Sequence, residues 1–382
     1  MKKIFSICLI FLLIFCFEIN ITTKKVFADA EIEVLAESAY LCDYESGTVV
    51  FAKNENLKRP IASMTKIMLL VLAFEKNAGG ELDFNKDILV SKYASSMGGS
   101  QVFLQADKYY KCDDLIKSII IASANDASVA IAEALFGNEN NAVNAMNQKA
   151  KELKMHNTLF SNCTGLTRPT QYSSAKDVAI MLTELCKYKT YFDYSKIYID
   201  KLTHPDGQIT ELVNTNKLIR GYEGCDGGKT GFTSEAGFCL AGTAKRGNMR
   251  GIGVVINGKD SKSRFTDCAK MLDYLFQNFS SKAVLSKENS LDFKVAISKG
   301  EKTHVGVIPK NNFYIFGKKN EKENVKIEFE AYKISAPIKE GNLVGRFTVY
   351  QDGIKRGVIE ALASESIARK GIFDIIKEIT IN

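Results

Sequence analysis

The stretch Pro60-Ile61-Ala62-Ser63-Met64-Thr65-Lys66-Ile67-Met68-Leu69-Leu70 decides how the rest of the chain reads. After Pro60, the apolar residues Ile67, Leu70, Val71 and Phe74 recur at helical spacing, and Gly79-Gly80 ends the run. A helix therefore opens near Ser63. Ser63 and Lys66, three residues apart, share one of its faces. A serine hydroxyl needs a base before it attacks a carbonyl. A lysine becomes such a base when desolvation or neighbouring cations lower its pKa. The N-terminus of a helix also favours developing negative charge. Alone the pair is a weak signal, because a capping serine followed by a surface lysine gives the same pattern.

Working outward, Ser123-Ala124-Asn125 lies between an apolar helix containing Leu115, Ile116, Ile119 and Ile120, with Asp113 as its expected cap, and a helix running from Asn125-Asp126 to Gly137. A second serine can relay a proton, and an asparagine amide can donate to and accept from a substrate amide at once. The competing reading is an N-cap, which Asn125 or Asp126 would fill well. Lys229-Thr230-Gly231 follows Asp226-Gly227-Gly228. A lysine and a hydroxyl on a strand can hold a carboxylate, and a glycine beside them lets substrate approach the backbone. A phosphate loop is excluded, since its first glycine would fall at position 223, which is Glu223, and the strand-to-helix context is missing.

In this order the three motifs are far more specific than any one of them, and they match the set of the class A β-lactamases and penicillin-binding proteins. The chain resembles the low-molecular-mass penicillin-binding proteins, the D-alanyl-D-alanine carboxypeptidases of peptidase family S11. Further stretches carry the likeness: Gly98-Gly99-Ser100, Ser123 to Ala127, Asn162 with Thr164-Gly165-Leu166, Asn214 to Leu218, Asp226 to Gly237, and Ala336-Pro337-Ile338 with Gly345. The resemblance implies an α/β (α+β) serine β-lactamase/transpeptidase-like domain, an antiparallel sheet packed by helices, followed by a small all-β sandwich. It implies that Ser63 is acylated by the penultimate D-alanine carbonyl of a peptidoglycan stem peptide, with Lys66 as base. Ser123 and Lys229 would pass the proton to the leaving amine, and Asn125 would bind the peptide amide. Thr230 and Arg264, with Gly231 beside them, would hold the terminal carboxylate. The backbone N–H groups of Ser63 and Phe232 would form the oxyanion hole, where preorganised donors contribute roughly 3–4 kcal/mol each. β-Lactam antibiotics are the implied inhibitors. Phe232 departs from the histidine of some members, and Cys163 stands where proline is frequent.

Close rivals share these motifs. A serine β-lactamase needs a glutamate to activate the deacylating water, and Leu159 to Gly165 contains no acid. A D,D-endopeptidase would share the chemistry and differ in cleft shape. A non-catalytic wall-binding relative should have lost at least one of the six residues Ser63, Lys66, Ser123, Asn125, Lys229 and Thr230.

The remaining features set the context. Lys2 and Lys3, the apolar run from Ile4 to Phe17 and Val26-Phe27-Ala28 read as an export leader over residues 1–28. An uncleaved anchor is the alternative, and Phe15 is too bulky to precede a lipid-modified Cys16. An exported, extracytoplasmic protein at the cell wall or the outer face of the cytoplasmic membrane is expected. Of the net charge of +7, this leader carries +3. The rest is mildly basic without a clustered stripe, so nucleic acid is not indicated. Seven cysteines remain after the leader, an odd number without C-x-x-C spacing, and read as small buried hydrophobes. No metal or cofactor is expected. The three histidines, His156, His204 and His304, lie outside the motifs and read as surface or loop residues. The catalytic domain is expected over 29–280. Residues 285–370, with alternating runs at 293–297, 325–329 and 347–350 and a hairpin at Asp352-Gly353, are expected to form the β domain. In residues 371–382, Ile372, Ile375, Ile376 and Ile379 share a helical face. Both a peripheral membrane-surface helix and a helix packed on the β domain fit that face.

Overall fold

The computed structural model describes residues 32–288 and 291–371. The leader at 1–28 and the helix expected over 371–382, apart from its first residue, lie outside them. Among the described residues no helix is long and apolar enough to cross a membrane.

The first unit is built on a five-stranded antiparallel sheet of β1 (Ser38–Asp43), β2 (Val49–Lys53), β3 (Cys225–Thr233), β4 (Gly237–Arg246) and β5 (Met249–Gly258), in the order β2-β1-β5-β4-β3. Side chains alternate between the two faces of a strand, and each face has its own core. Tyr40 and Cys42 of β1 and Ile252, Val254 and Ile256 of β5 pack with α1 (Lys66–Ala78) and α4 (Ala175–Leu185). Ala39, Leu41 and Val255 face the other way, onto Cys268, Met271, Leu272 and Leu275 of α5 (Ser263–Asn278). The helices α2 (Asn125–Phe136) and α3 (Glu139–Glu152) extend the first core. The sheet ends at β3, so one edge of that strand is unpaired within the sheet.

Beyond α5 the chain enters β6 (Phe279–Leu285), which pairs with β9 (Phe313–Lys318). The other strands are β7 (Leu291–Ser298), β8 (His304–Pro309), β10 (Val325–Ala331), β11 (Leu343–Gln351) and β12 (Ile354–Ala363). They form a sheet in the order β10-β11-β12-β8-β7, completed by Ile334–Ser335. Together these layers make the small β-sandwich, with Val295, Val307, Phe347 and Val349 in its core.

Three local expectations are corrected. Asp113 does not cap its helix. Lys111 is the N-cap residue and Asp113 lies in the first turn, where it pairs with Lys117 at 2.8 Å. The helix also does not run unbroken through Ile119 and Ile120, because Cys112–Lys117 is α-helical and Ser118–Ala122 is a π turn. His204, read as a surface or loop residue, lies in the loop of a hairpin but not at the surface. It is 6% exposed and held between the Tyr110 hydroxyl (2.8 Å) and the Thr210 hydroxyl (2.9 Å). It ties the hairpin of Ile199–Thr203 and Ile209–Val213 to the body.

Candidate active site

Ser63 sits in a 3-10 turn, Ala62–Thr65, immediately before α1. Ala62 is left-handed (φ 46°), an unusual state for a residue with a Cβ, and it turns the chain sharply into the serine. Lys66 begins α1 and is fully buried. Its Nζ lies 2.9 Å from Ser63 Oγ and donates to the Thr164 carbonyl at 2.6 Å. Burial pulls the Lys66 amine down to about 7, against weaker opposing effects of Cys163 and Asp126. A near-neutral amine in contact with a serine hydroxyl is what a general base requires.

The Thr164 carbonyl is presented by a strap over 162–166 with Asn162 at its hub. Asn162 Oδ1 accepts from Gly165 N–H (2.7 Å) and Thr164 N–H (3.2 Å), and its Nδ2 donates to the Leu166 carbonyl (2.7 Å). Gln171 Oε1 receives the N–H groups of Ser161 and Asn162. Gly165 has φ +86°, and a Cβ there would enter the Ala62 carbonyl and crowd the Ser63 nitrogen. The strap thus lies directly on the nucleophile's turn.

The second motif follows the π turn. Such turns concentrate at functional sites, and this one ends with Ser123 in the left-handed region (φ 64°). Ala124, not Asn125 or Asp126, is the N-cap residue of α2, so the capping alternative fails. Asn125 is buried, and its Nδ2 donates to the Gly98 carbonyl at 2.7 Å. Its Oδ1 is buried without a partner. An orphaned buried acceptor is costly.

The third motif lies on the edge strand β3. A Cβ at Gly231 would fall 2.6 Å from the Ile61 carbonyl and 3.2 Å from the Ser63 nitrogen, so β3 lies against the serine turn. Lys229 is buried and its amine is pushed well below its usual value, first by burial and then by the charges of Lys66 and Arg264. Thr230 Oγ1 bonds to Thr215 Oγ1 at 2.7 Å, and Thr215 N–H reaches the Ile121 carbonyl of the π turn. Arg264 Nη1 donates to the carbonyls of Gly231 (3.0 Å) and Cys239 (3.3 Å), while its Nε is buried and unpartnered. Phe232 stacks on Phe238 (4.4 Å between centroids). At the start of β3, Asp226 takes two bonds from Arg250, at 2.6 and 2.7 Å. The structure therefore gathers Ser63, Lys66, Lys229, Gly231 and Arg264 about one cleft, with Ser123 and Asn125 at the head of α2.

Two partners were not singled out from the sequence. Thr215 lies in a stretch noted only for its likeness. Glu139 accepts the Cys163 N–H at 3.0 Å, the Cys163 thiol at 3.3 Å and the Tyr93 hydroxyl at 2.6 Å. It anchors the strap from a helix 24 residues away in sequence, so no local pattern could reveal it. All seven described cysteines are buried. Burial, reinforced by Glu139, raises the Cys163 thiol well above its usual value, so it stays neutral beside Lys66.

Residues 24–260 match the model of the D-alanyl-D-alanine carboxypeptidase family, peptidase S11, and residues 279–369 match the C-terminal domain of penicillin-binding protein 5. The chain is 38% identical over 380 residues to the D-alanyl-D-alanine carboxypeptidase DacF of Bacillus subtilis, covering 99% of this chain and 97% of that protein. It is 27% identical to DacC of Escherichia coli over 88% of this chain and 86% of that protein. Penicillin-binding protein 5 of Haemophilus influenzae superposes with a TM-score of 0.71 at 26% identity, covering 90% of this chain and all of that one.

Proposed function

The chain belongs to peptidase family S11, the D-alanyl-D-alanine carboxypeptidases, serine peptidases of the penicillin-binding group that act on peptidoglycan, and we propose that Ser63 is its nucleophile and Lys66 its base. One observation carries this assignment: a fully buried amine drawn down to about 7 lies 2.9 Å from the serine hydroxyl. As Ser63 Oγ attacks the penultimate D-alanine carbonyl, neutral Lys66 takes its proton and keeps its own hydrogen bond to the Thr164 carbonyl. The N–H groups of Ser63 and Phe232 receive the oxyanion. The proton then passes from the Lys66 ammonium through the Ser123 hydroxyl, helped by Lys229, to the amine of the departing D-alanine as the peptide C–N bond breaks. Water then hydrolyses the acyl-serine ester and restores the enzyme.

The remaining residues of the three motifs, with Arg264, are assigned to holding substrate. Asn125 Oδ1, buried and unpartnered, accepts the peptide N–H. Thr230 and Arg264, with Lys229 close by, hold the terminal carboxylate, and Gly231 admits the peptide to the edge of β3. β-Lactams acylate the same serine.

The catalytic unit is taken as residues 29–280 and the β domain as 285–370. Residues 1–28 act as an export leader, supported by their basic start and apolar run. The isoleucine face within 371–382 makes peripheral membrane contact, supported by its helical spacing alone. The test uses residues 29–382 and a peptide ending in D-Ala-D-Ala. Release of D-alanine by the wild type and not by Ser63→Ala is expected. Release by the variant, or by neither protein, would overturn the assignment.

A further inference from the structure

Glu139 opens α3, directly after the N-cap residue Asn138. Its carboxylate is divided between two segments that frame the cleft. Oε1 takes the Cys163 N–H (3.0 Å) and thiol (3.3 Å) from the strap. Oε2 takes the Tyr93 hydroxyl (2.6 Å) from the short helix Lys92–Ser95. Both side chains keep their protons. Burial, then Glu139, holds the Cys163 thiol well above its usual value, and the bond to Glu139 pushes the Tyr93 phenol up to about 12. On the strap side, Asn162 holds the N–H groups of Thr164 and Gly165, while the Cys163 N–H before them goes to α3. The carbonyl of the next residue, Thr164, carries Lys66 Nζ. Proline, frequent at this position in the family, has no N–H to give, so this anchor comes with the departure at Cys163.

On the other side, the Tyr93 carbonyl takes the Ser96 hydroxyl at 2.8 Å, and the Ala94 carbonyl takes the Met97 N–H at 3.2 Å. These bonds close the turn that leads into Gly98. The Gly98 and Ser100 carbonyls then hold the side-chain amide and the N–H of Asn125, each at 2.7 Å. The two segments meet again at Gly99, where a Cβ would lie 3.5 Å from Leu166 Cδ2 of the strap. We propose that Glu139 is a positioning residue that fixes the spacing of two cleft walls, one carrying the base Lys66 and the other carrying Asn125, which binds the peptide amide. The proposal rests on the carboxypeptidase reading above. A carboxylate suits the task, because charge-assisted hydrogen bonds are roughly twice as strong as neutral ones and its two oxygens serve one wall each.

The experiment measures D-alanine release from diacetyl-lysyl-D-Ala-D-Ala by the 29–382 protein and three variants, with Tm beside it. Glu139→Ala frees both walls. Its kcat should fall about tenfold through the displaced base, and its KM should rise about fivefold through the displaced amide. Tyr93→Phe cuts only the arm toward Asn125, so KM should rise about fivefold while kcat stays within about twofold of the wild type. Glu139→Gln keeps an oxygen for the Cys163 N–H and offers its NH2 to the Tyr93 oxygen, so both constants should return to within about twofold of the wild type. Wild-type constants in Glu139→Ala, whatever its Tm, overturn the proposal, because the bonds then serve stability alone. So does a loss that Glu139→Gln does not restore, which would assign the effect to charge. If Glu139→Ala does not fold, Tyr93→Phe decides: a raised KM with kcat kept supports the proposal, and an unchanged KM or a parallel loss of kcat overturns it. Absence of release by the wild type would overturn the carboxypeptidase reading first, and this inference with it.

Discussion

The cleft and the β-sandwich are built by opposite habits. In the cleft Lys66, Ser123, Asn125, Lys229 and Thr230 are all buried, and Ala62 and Ser123 hold left-handed backbone. In the sandwich, Gln351 is the one buried polar side chain among the described residues, and its amide is satisfied by the Phe316 carbonyl. Its left-handed non-glycine residues, Lys299 and Asp352, sit in exposed turns. Its charges pair across exposed strands. The sandwich mostly keeps local rules of patterning and burial, with Ser281 Oγ and Arg356 Nε as its buried atoms without a partner among the described residues. The cleft breaks them where chemistry requires it, and the cost should be visible as stability that mutation can recover.

Lys66→Met should break the comparison most. Removal of a general base lowers acylation by about a hundredfold to ten-thousandfold, while loss of a buried amine should stabilise the fold. The folded amine titrates near 7 against an ordinary 10.5. Between those values the unfolded chain binds the extra proton, so wild-type stability rises with pH across this window. The destabilisation is complete below pH 7 and gone above 10.5. The variant should therefore gain at most about 4 kcal/mol at pH 7 and lose the slope. Denaturant unfolding at pH 6, 8 and 10 reads both. In the wild type, β-lactam acylation should climb as pH passes through about 7. A variant less stable than the wild type at pH 7 would show that the lysine is held by its bonds more than it is strained by burial.

Gly165→Ala probes the same cleft through the backbone. The added Cβ meets the Ala62 carbonyl, which cannot swing away as a side chain could, and φ +86° is itself hostile to alanine. Destabilisation of about 1–3 kcal/mol is expected. Displacement of the Thr164 carbonyl, which holds Lys66, should slow penicillin labelling by about a hundredfold. Labelling at the wild-type rate would mean that the strap does not position the base.

The same contrast explains what could be read from the sequence. The strands of the sandwich were legible, because alternation at 293–297, 325–329 and 347–350 reports burial on one face. Ser63 and Lys66 were legible because their spacing keeps them on one helical face. The π turn at 118–122 was not, since its apolar residues continue the pattern of the preceding helix. Asp113 was misassigned because an acid in a first turn resembles a cap. Glu139 was invisible because its partners come from other elements. The cleft's departures arise from tertiary contacts, which no local window contains.

The smallest effect is expected in the sandwich and gives the comparison its baseline. Lys310 and Glu360 pair across exposed strands, with side chains 53% and 49% exposed. Such pairs gain little Coulomb energy in water and lose side-chain entropy when they meet. A double-mutant cycle with Lys310→Ala and Glu360→Ala should give a coupling of about 0.5 kcal/mol or less, decreasing further with added salt. D-Alanine release should stay at the wild-type rate, because neither residue adjoins the cleft. A coupling above about 2 kcal/mol, or altered turnover, would mean that this surface is tied to catalysis. The division between a rule-keeping sandwich and a rule-breaking cleft would then have to be redrawn.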